Sequence, residues 1–319
     1  MVARLLCTSR LSPAAHSMTA DGEVERVATD LTGLKVGILG GDRRELEVAS
    51  VFHGLGAEVR AVCLPWPDDV GFVSNRLEDV LAWADLLLAP VGGVDKFGQV
   101  SYTIVEGQEP PRLTAETLRH VAQGTSLFIG QATSGLREAC SEQGVRLVEF
   151  RETEEFAWRN AIPTAEGALE MALRLTDHTL HGARCLVLGF GRTGSVIART
   201  LHGLGARVEV LARDGIDLAR CYALGFAGES LADLRGAVSD ADVVFNTIPV
   251  VVLREDVLQR MRRGTVIIDI ASAPGGTDFA AARRLGLSAH LAPGLPGITA
   301  PRTAGRIVAD TVLSLWQNL

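Results

Sequence analysis

Residues 184–194 read RCLVLGFGRTG, a short apolar run that enters a turn containing three glycines. Gly189 permits a tight turn, Gly191 lets the backbone approach a pyrophosphate, and Gly194 lets the following helix pack against the strand. The amides at the N terminus of that helix would face the phosphates. The stretch therefore predicts a dinucleotide-binding strand–turn–helix unit. Its predicted cofactor-binding residues are Gly189, Phe190, Gly191, Arg192, Thr193 and Gly194.

The same alternation of strands and helices extends along the chain on both sides of this stretch. Predicted strands cover residues 35–39, 58–63, 86–89, 126–129, 146–149, 185–188, 208–211, 243–246, 266–270 and 289–292. Strands that alternate with helices indicate parallel sheets with right-handed crossovers. We therefore predict an α/β protein with two doubly wound parallel-sheet, Rossmann-like domains.

Two longer helices, predicted at 164–181 and 303–316, are expected to bridge these domains. The predicted division has a poorly ordered tail at 1–30 and an N-terminal substrate domain formed by 31–160 with 300–319. A bridging helix at 161–181 would lead to an NADP-binding domain at 182–299. Ligand sites favour domain junctions and the carboxyl ends of parallel strands, so we expect the chemistry in the interdomain cleft.

Composition and charge exclude several classes of protein. The 319 residues are 47% hydrophobic and 22% charged, with a net charge of −7, and no apolar run approaches the length of a membrane helix. Nucleic acid and membrane surfaces are not expected partners, because both require a concentrated basic face. The five cysteines are scattered and form no CxxC pair, which favours a reduced, cytoplasmic protein. No metal site is predicted.

The nucleotide preference depends on the end of the strand at 208–211. An NAD enzyme usually carries an acidic residue roughly 20 positions after the first glycine, where it binds the ribose hydroxyls. Here Arg213 stands 24 positions after Gly189, and an arginine suits a 2′-phosphate. NADP is therefore the expected cofactor, while NAD stays possible because Asp214 follows directly.

Segments rich in Gly, Pro and small polar residues supply the other candidate site residues. They cover 40–44, 160–167, 246–249, 269–277 and 293–305, and we expect them at carboxyl ends of strands or at the domain hinge. Further predicted cofactor-binding residues are Thr247, Pro249, Asp269, Ala271 and Ser272. Predicted substrate-binding residues are Asp42, Arg44, Asn160, Thr164 and Pro296, with Asp42 also expected to cap the helix that follows it.

Taken in order, these segments resemble the dehydrogenase-like A subunits of dipicolinate synthase from endospore-forming bacteria. The most specific matches are NAIPTAEGAL at 160–169, LVLGFGRTG at 186–194 and IDIASAPGGTDFA at 268–280, followed by APGLPG at 292–297 and TAG at 303–305. The resemblance runs from about residue 31 to the C terminus. One departure is Ile298-Thr299, which follows PGLPG where the family usually has a basic residue, so this loop lacks one possible carboxylate contact.

The resemblance implies a late enzyme of the lysine branch that oxidises a dihydrodipicolinate-type ring to dipicolinate by hydride transfer to a nicotinamide cofactor. It also implies expression in the mother cell during sporulation and a partner in the form of a flavoprotein-like B subunit. A homo-oligomer is expected as well.

A cyclic dicarboxylate requires cationic or amide donors, and arginine suits bidentate carboxylate binding. Arg44 is the candidate clamp for one carboxylate, Asn160 and Thr164 are candidates for the other, and Glu166 is the candidate catalytic base.

Two alternatives stay open. The first is a dehydrogenase of the alanine or 2-hydroxyacid type, although alanine dehydrogenases carry an acidic residue at the position of Ala273, and hydroxyacid dehydrogenases a catalytic arginine near Ser272. The second is a non-catalytic protein that senses NADP on behalf of a partner.

Overall fold

The computed structural model describes residues 29–65, 72–73, 76–101 and 109–319; residues 1–28 of the predicted tail lie outside this part of the chain. The first sheet contains β1 Lys35–Leu39, β2 Glu58–Val62, β3 Phe72–Val73, β4 Leu86–Leu88, β5 Ser126–Ile129 and β6 Arg146–Glu149. Its strand order is β3-β2-β1-β4-β5-β6. All of its strand pairs are parallel.

The second sheet repeats this plan. It contains β7 Arg184–Leu188, β8 Arg207–Ala212, β9 Ala227–Ser230, β10 Val243–Asn246, β11 Val266–Asp269 and β12 Ser288–Leu291. The order is β12-β11-β10-β7-β8-β9, again with parallel pairs throughout. In each sheet the strand order reverses beside the first strand, between β1 and β4 and between β7 and β10. Such a reversal opens a crevice at the carboxyl ends of the strands.

Helices lie on both faces of the two sheets. They are α1 Arg43–Gly54, α2 Leu77–Trp83, α3 Ala115–Leu118, α4 Ser134–Gln143, α5 Glu154–Leu175, α6 Arg192–Gly203, α7 Gly215–Ala223, α8 Leu234–Ala237, α9 Glu255–Leu258, α10 Phe279–Arg284, α11 Leu295–Thr299 and α12 Pro301–Gln317. Because both faces are covered, the central strands are apolar along their length; all three residues of β4 are buried, for example.

The predicted fold class is confirmed, with two Rossmann-like parallel-sheet domains. All ten predicted strands are present, each within one residue at either end. The prediction missed β3 and β9. The sequence of β9 is AGES, and its residues are exposed or half-buried, so it lacks the apolar run by which the other strands are recognised.

Helix α5 differs from its prediction. It begins at Glu154, ten residues before the predicted start, and it ends at Leu175 rather than at 181. Pro163 lies buried inside the helix, where a proline usually ends one, so residues 160–167 are helical and do not form a hinge loop. The hydroxyl of Thr164 donates to the carbonyl of Asn160 at 2.7 Å, which satisfies a carbonyl in the turn around this proline.

Helices α5 and α12 connect the two halves of the molecule. Helix α5 packs against α6 and α11, and α12 packs against α1 and α5. Ile307 and Val312 of α12 share a buried cluster with Val36 of β1. Arg159 of α5 forms an ion pair with Asp310 of α12 at 2.7 Å. The exact division into domains at 160, 181 and 299 stays a prediction.

Candidate functional site

A cavity of about 440 Å³ lies between the carboxyl edges of the two sheets. The first sheet contributes residues that follow β1, β4 and β6, and the second contributes residues that follow β7, β11 and β12. Helix α5 supplies further lining residues, among them Phe156 and Asn160. The cavity therefore occupies the interdomain cleft in which the sequence predicted the chemistry.

Some of the predicted site residues line this cavity and others do not. The lining includes Arg44, Asn160, Thr164, Arg192, Thr193, Ala271, Ser272 and Pro296. It does not include Asp42, Glu166, Gly189, Phe190, Gly191, Gly194, Arg213, Thr247, Pro249 or Asp269. Some residues of the second group shape the turns and loops next to the cavity, and others are exposed to solvent outside its lining.

The glycine turn after β7 is shaped as the fingerprint predicts. Gly189 has φ +91°, and a Cβ at this position would lie 2.6 Å from Oγ1 of Thr247. A Cβ at Gly194 would lie 2.2 Å from the carbonyl oxygen of Gly189. Around a Cβ built at Gly191, by contrast, the described residues place no atom within 4 Å, chain neighbours aside. The turn is thus tightly packed at its two ends and open in its middle, where a pyrophosphate would approach.

The N terminus of α6 stands next to this open space. In the described part of the chain no side chain caps α6, so the amides of its first turn keep their hydrogen-bonding capacity. The side chain of Phe190 packs in the core at 5.8 Å from the ring of Phe226, so only its backbone belongs to the turn. The turn fits a dinucleotide phosphate, with Gly191, Arg192 and Thr193 nearest to it.

The turn after β1 is closed by its own carboxylates. Asp42 caps α1, as expected, by accepting from the amide of Arg44 at 2.9 Å, and Oε2 of Glu45 accepts from the amide of Asp42 at 2.7 Å. The guanidinium of Arg44 also bonds to both carboxylate oxygens of Asp42, with Nη2 2.7 Å from Oδ2. This helix start therefore cannot receive a phosphate, and it presents a buried cation to the cavity instead.

Charge and burial act in opposite directions within this cluster. Burial would raise the pKa of Asp42, but the hydrogen bonds and the charge of Arg44 outweigh it and hold that pKa below its usual value. Burial raises the pKa of Glu45 to about 7; the negative charge of Asp42 adds to this effect and Arg44 opposes it. Atom Oε1 of Glu45 is buried and has no hydrogen-bond partner among the described residues. Glu45 is therefore an uncommonly basic carboxylate.

Asp269 supports a loop of the cavity wall and is not among the lining residues, and its assignment as a cofactor-binding residue stays a prediction. Its carboxylate is fully buried and accepts from Nδ2 of Asn246 at 3.0 Å, the amide of Gly276 at 2.8 Å and the hydroxyl of Thr277 at 2.6 Å. These bonds fix residues 270–276, of which 270–273 line the cavity. Pro249, another predicted cofactor residue, is exposed outside the lining.

Glu166, the predicted base, is exposed to solvent and does not line the cavity. The prediction took the helix to begin at Thr164, which would place Glu166 in its first turn beside the cleft. Because α5 begins at Glu154, Glu166 lies in the middle of the helix on its solvent-facing side. The assignment of Glu166 as the base stays a prediction that this placement does not support.

Arg213 follows β8 directly and is exposed. The next residue, Asp214, caps α7, and its Oδ1 accepts from the amide of Asp217 at 2.8 Å. Asp214, the acidic residue that could bind the ribose hydroxyls of NAD, is thus engaged in capping α7. Strand β8 ends at Ala212, so Arg213 is the first residue after it. The choice between NADP and NAD stays a prediction.

Sequence reasoning missed two prominent lining residues, Arg151 and Phe156. Arg151 stands two positions after β6, at the same edge as the other site segments. Its signal in the sequence is a charged residue just beyond a predicted strand. Arg151 lies outside the Gly- and Pro-rich segments from which the other site residues were predicted. Phe156 gave no such signal, because it lies in the part of α5 that was not predicted to be helical.

Two classes of feature are absent from the described residues. They hold no cluster of three or more His, Cys, Asp or Glu side chains arranged to bind a metal ion. Among the helices of the described residues, none has the length and apolarity required to cross a bilayer.

Comparison with known proteins gives matches over most of the chain. Residues 35–151 match the family model for the N-terminal domain of the dipicolinate synthase A subunit. Residues 157–275 match the NAD-binding domain of D-isomer specific 2-hydroxyacid dehydrogenases.

Full-length relatives agree with these matches. The dipicolinate synthase A subunit of Bacillus subtilis is 38% identical over 292 residues, which cover 91% of this chain and 98% of the relative. The crystal structure of the corresponding protein from Bacillus halodurans superposes with a TM-score of 0.82 at 39% identity, covering 90% of this chain and 98% of that one. An L-alanine dehydrogenase superposes with a TM-score of 0.60 at 14% identity, covering 89% of each chain, which shows a shared fold alone.

Proposed function

The chain belongs to the family of dipicolinate synthase A subunits, and on that premise we propose that it oxidises a dihydrodipicolinate-type cyclic dicarboxylate to dipicolinate, with NADP as the hydride acceptor. At the coarser level it is a dehydrogenase-type oxidoreductase with a nicotinamide-binding domain. The proposal concerns the substrate, the reaction and the choice of NADP.

One observation carries the proposal: three arginine residues, Arg44, Arg151 and Arg192, line the interdomain cavity. The carboxylate that accompanies them in the lining is Glu152, whose side chain is 67% exposed. A cavity of this composition favours a small ligand with more than one carboxylate, because guanidinium groups bind carboxylates in a bidentate manner. The glycine turn after β7 borders the same cavity through Arg192 and Thr193.

The proposed reaction removes one hydride and one proton from the ring and leaves an aromatic pyridine. When bound, the nicotinamide cofactor supplies the acceptor for the hydride. Gly191, Arg192 and Thr193 would hold its pyrophosphate in the turn that Gly189 and Gly194 shape, and Arg213 would contact its 2′-phosphate. Arg44 would bind a substrate carboxylate, with Asn160 and Thr164 beside it on α5. Aromatisation drives the reaction, so transfer of the proton to water suffices and no side chain is assigned as the base.

We also propose the setting in which this reaction occurs. The family premise supports three further properties: a partner of the flavoprotein-like B type, homo-oligomeric assembly of this chain, and activity in the cytoplasm of the mother cell during sporulation. Each is a property to test on the purified or expressed protein.

The alanine-dehydrogenase alternative loses support at the cavity wall. Ala273 lines the cavity at the position where that chemistry carries an acidic residue. Ser272, which lines it as well, replaces the arginine of hydroxyacid dehydrogenases. The sensing alternative predicts that the protein binds NADP but turns over no substrate, so a turnover assay tests it.

The test is to mix the purified protein with NADP and enzymatically generated dihydrodipicolinate and to follow the absorbance of the reduced nicotinamide. Stoichiometric formation of NADPH and dipicolinate is expected. Arg137→Ala is a matched control, because Arg137 pairs with Glu149 at the same sheet edge outside the cavity lining. Cofactor binding without turnover would favour the sensing alternative, and turnover of alanine or a 2-hydroxy acid would overturn the proposed substrate.

A further inference from the structure

We infer that Arg151 binds a substrate carboxylate, with Gln131 as the residue that positions its guanidinium and leaves its charge available. This inference rests on the proposed dicarboxylate function and deepens it. It assigns the second carboxylate of the substrate, on the far side of the cavity from Arg44, to a residue of the first sheet.

The three guanidinium groups of the cavity differ in how far their charge is already neutralised. Arg44 is bound by both oxygens of Asp42. Arg192 bonds to Glu154 at 3.0 Å and to Glu152 at 3.3 Å.

Arg151 has a different set of partners. Its Nη2 donates to the amide oxygen of Gln131, which is neutral, and its Nε lies 3.4 Å from Oε1 of Glu152. Glu152 is largely exposed and is shared with Arg192. The shortest carboxylate contact of Arg151 is thus 3.4 Å, against 2.7 Å for Arg44 and 3.0 Å for Arg192. Glu149, which also interacts with the charge of Arg151, is itself held by Arg137. Arg151 is therefore the least tightly paired of the three, and a neutral amide orients its guanidinium without neutralising it.

The backbone of Arg151 is fixed in place. Its amide donates to the carbonyl of Gly130 at 3.0 Å, which extends the β5–β6 ladder beyond the end of β6. The preceding residue, Phe150, is fully buried and packs edge-on against Phe156 at 5.3 Å. A guanidinium that starts from an anchored backbone loses less conformational freedom on binding a ligand.

Gln131 is anchored in a similar way at the end of β5. A Cβ at Gly93 would lie 2.0 Å from the carbonyl oxygen of Gln131, so the turn after β4 lies directly on the Gln131 backbone. Gly92 of that turn lines the cavity. The residue whose side-chain amide binds Arg151 therefore has its backbone packed against a turn of the cavity wall.

The strand order places Arg151 and Arg44 at opposite ends of this wall. Arg44 follows β1 and Arg151 follows β6, with β4 and β5 between them. Three strand spacings amount to roughly 14 Å, and an arginine side chain reaching inward from each end leaves room for a small ring. The two carboxylates of a dipicolinate-type ring diverge from either side of the ring nitrogen, and a diverging pair of this kind fits two arginines that reach in from different ends of the wall.

The test measures binding of dipicolinate and of picolinate, which has a single ring carboxylate, to the full-length protein by calorimetry. We expect the wild-type protein to prefer dipicolinate. Arg151→Ala should weaken dipicolinate about 10- to 100-fold and remove most of the preference over picolinate. Gln131→Glu, which keeps Arg151 but adds a carboxylate beside it, should weaken dipicolinate in the same direction. The control is Arg119→Ala, because Arg119 is an exposed arginine of the same domain that pairs with Glu116 outside the cavity lining, and this variant should bind like the wild-type protein.

The outcomes separate this inference from the proposed function. Unchanged dipicolinate binding in Arg151→Ala overturns the inference and leaves the proposed reaction standing on its turnover assay. A Gln131→Glu variant that binds as well as the wild type also overturns it. Loss of binding in both variants, with unchanged melting temperatures and cofactor affinity, supports the inference even if no NADPH forms, a result that would overturn the proposed reaction alone. Failure of the wild-type protein to bind dipicolinate overturns the inference.

Discussion

The turns after β1 and after β7 occupy equivalent places in two sheets of the same strand order, yet they have opposite chemistry. Each leads from the first strand of its sheet into a helix of twelve residues, α1 or α6. At α1, Asp42 and Glu45 close the helix start with carboxylates. At α6, Gly191 leaves the helix start open and uncapped by the described side chains. The presence or absence of a carboxylate at the cap decides whether the same backbone motif can receive a phosphate.

The turn after β1, which is closed to phosphate, holds an arginine side chain instead. Because Asp42 binds the guanidinium of Arg44, a cation with only 4% of its side chain exposed is held beside the cavity. Under the proposed function, one copy of the motif would present amides to a phosphate and the other a guanidinium to a carboxylate. The following predictions test this contrast, from the largest expected effect to the smallest.

Substituting Gly194 should do the most damage. A Cβ in Gly194→Ala would meet the backbone carbonyl of Gly189 at 2.2 Å, an overlap that side-chain movement cannot relieve. We expect unfolding to become easier by about 3 kcal/mol or more, together with loss of cofactor binding, as measured by denaturant unfolding and calorimetry. Gly135→Ala, in the first turn of α4 with open space around it, is the control and should leave cofactor binding unchanged and stability equal or higher. A stable Gly194→Ala protein that binds cofactor would contradict the tight turn.

Glu45 should make the stability of the closed turn depend on pH. Burial raises the pKa of Glu45 from 4.5 to about 7, so between these values the native state retains a proton that the unfolded state has released. Stability should therefore fall as pH rises from about 4.5 to 7, by about 3 kcal/mol. Glu45→Gln should flatten this slope in chemical unfolding, whereas the exposed Glu142→Gln should preserve it. An unchanged slope in Glu45→Gln would place the proton elsewhere.

Gly191→Asp would convert the open turn into a copy of the closed one. Gly191 has φ −72° and ψ −163°, which an aspartate adopts readily, and a Cβ there meets no described atom within 4 Å. The new carboxylate should cap α6 and occupy the phosphate position, so NADP binding should weaken about 100-fold while the melting temperature holds or rises. Gly191→Ala tests the added methyl group alone. Tight NADP binding by Gly191→Asp would place the pyrophosphate elsewhere.

The smallest expected effect concerns the far end of the cofactor. If Arg213 contacts the 2′-phosphate, NADP should bind at least tenfold tighter than NAD, a difference of about 1.4 kcal/mol. Arg213→Asp should remove or invert this preference in calorimetric titrations with both nucleotides. The exposed Arg207→Asp, at the start of the same strand, should preserve it. Equal affinities for the two nucleotides in the wild-type protein would reject NADP specificity.

The strands were predictable from the sequence because a parallel strand buried on both faces is a short apolar run, as at β4 and β11. The glycine turn was predictable because backbone geometry restricts its residues. The start of α5 was not, because Pro163 usually marks a helix boundary and here lies inside one. The role of Asp269 depends on partners such as Asn246 and Thr277, whose approach to its carboxylate only the folded chain defines.

Helix α12 has a consequence for how the chain folds during translation. Its residues Ile307, Val308 and Val312 belong to the same buried cluster as Val36 and Phe52 near the start of the chain. The first sheet therefore keeps an uncovered apolar face until residues 301–317 have left the ribosome, whereas the second sheet is complete at Leu291. Vectorial synthesis usually lets the N-terminal part fold first, but here the core of the first sheet includes a helix from the end of the chain. The half of the molecule that is made first therefore receives its last core helix only when synthesis is nearly finished.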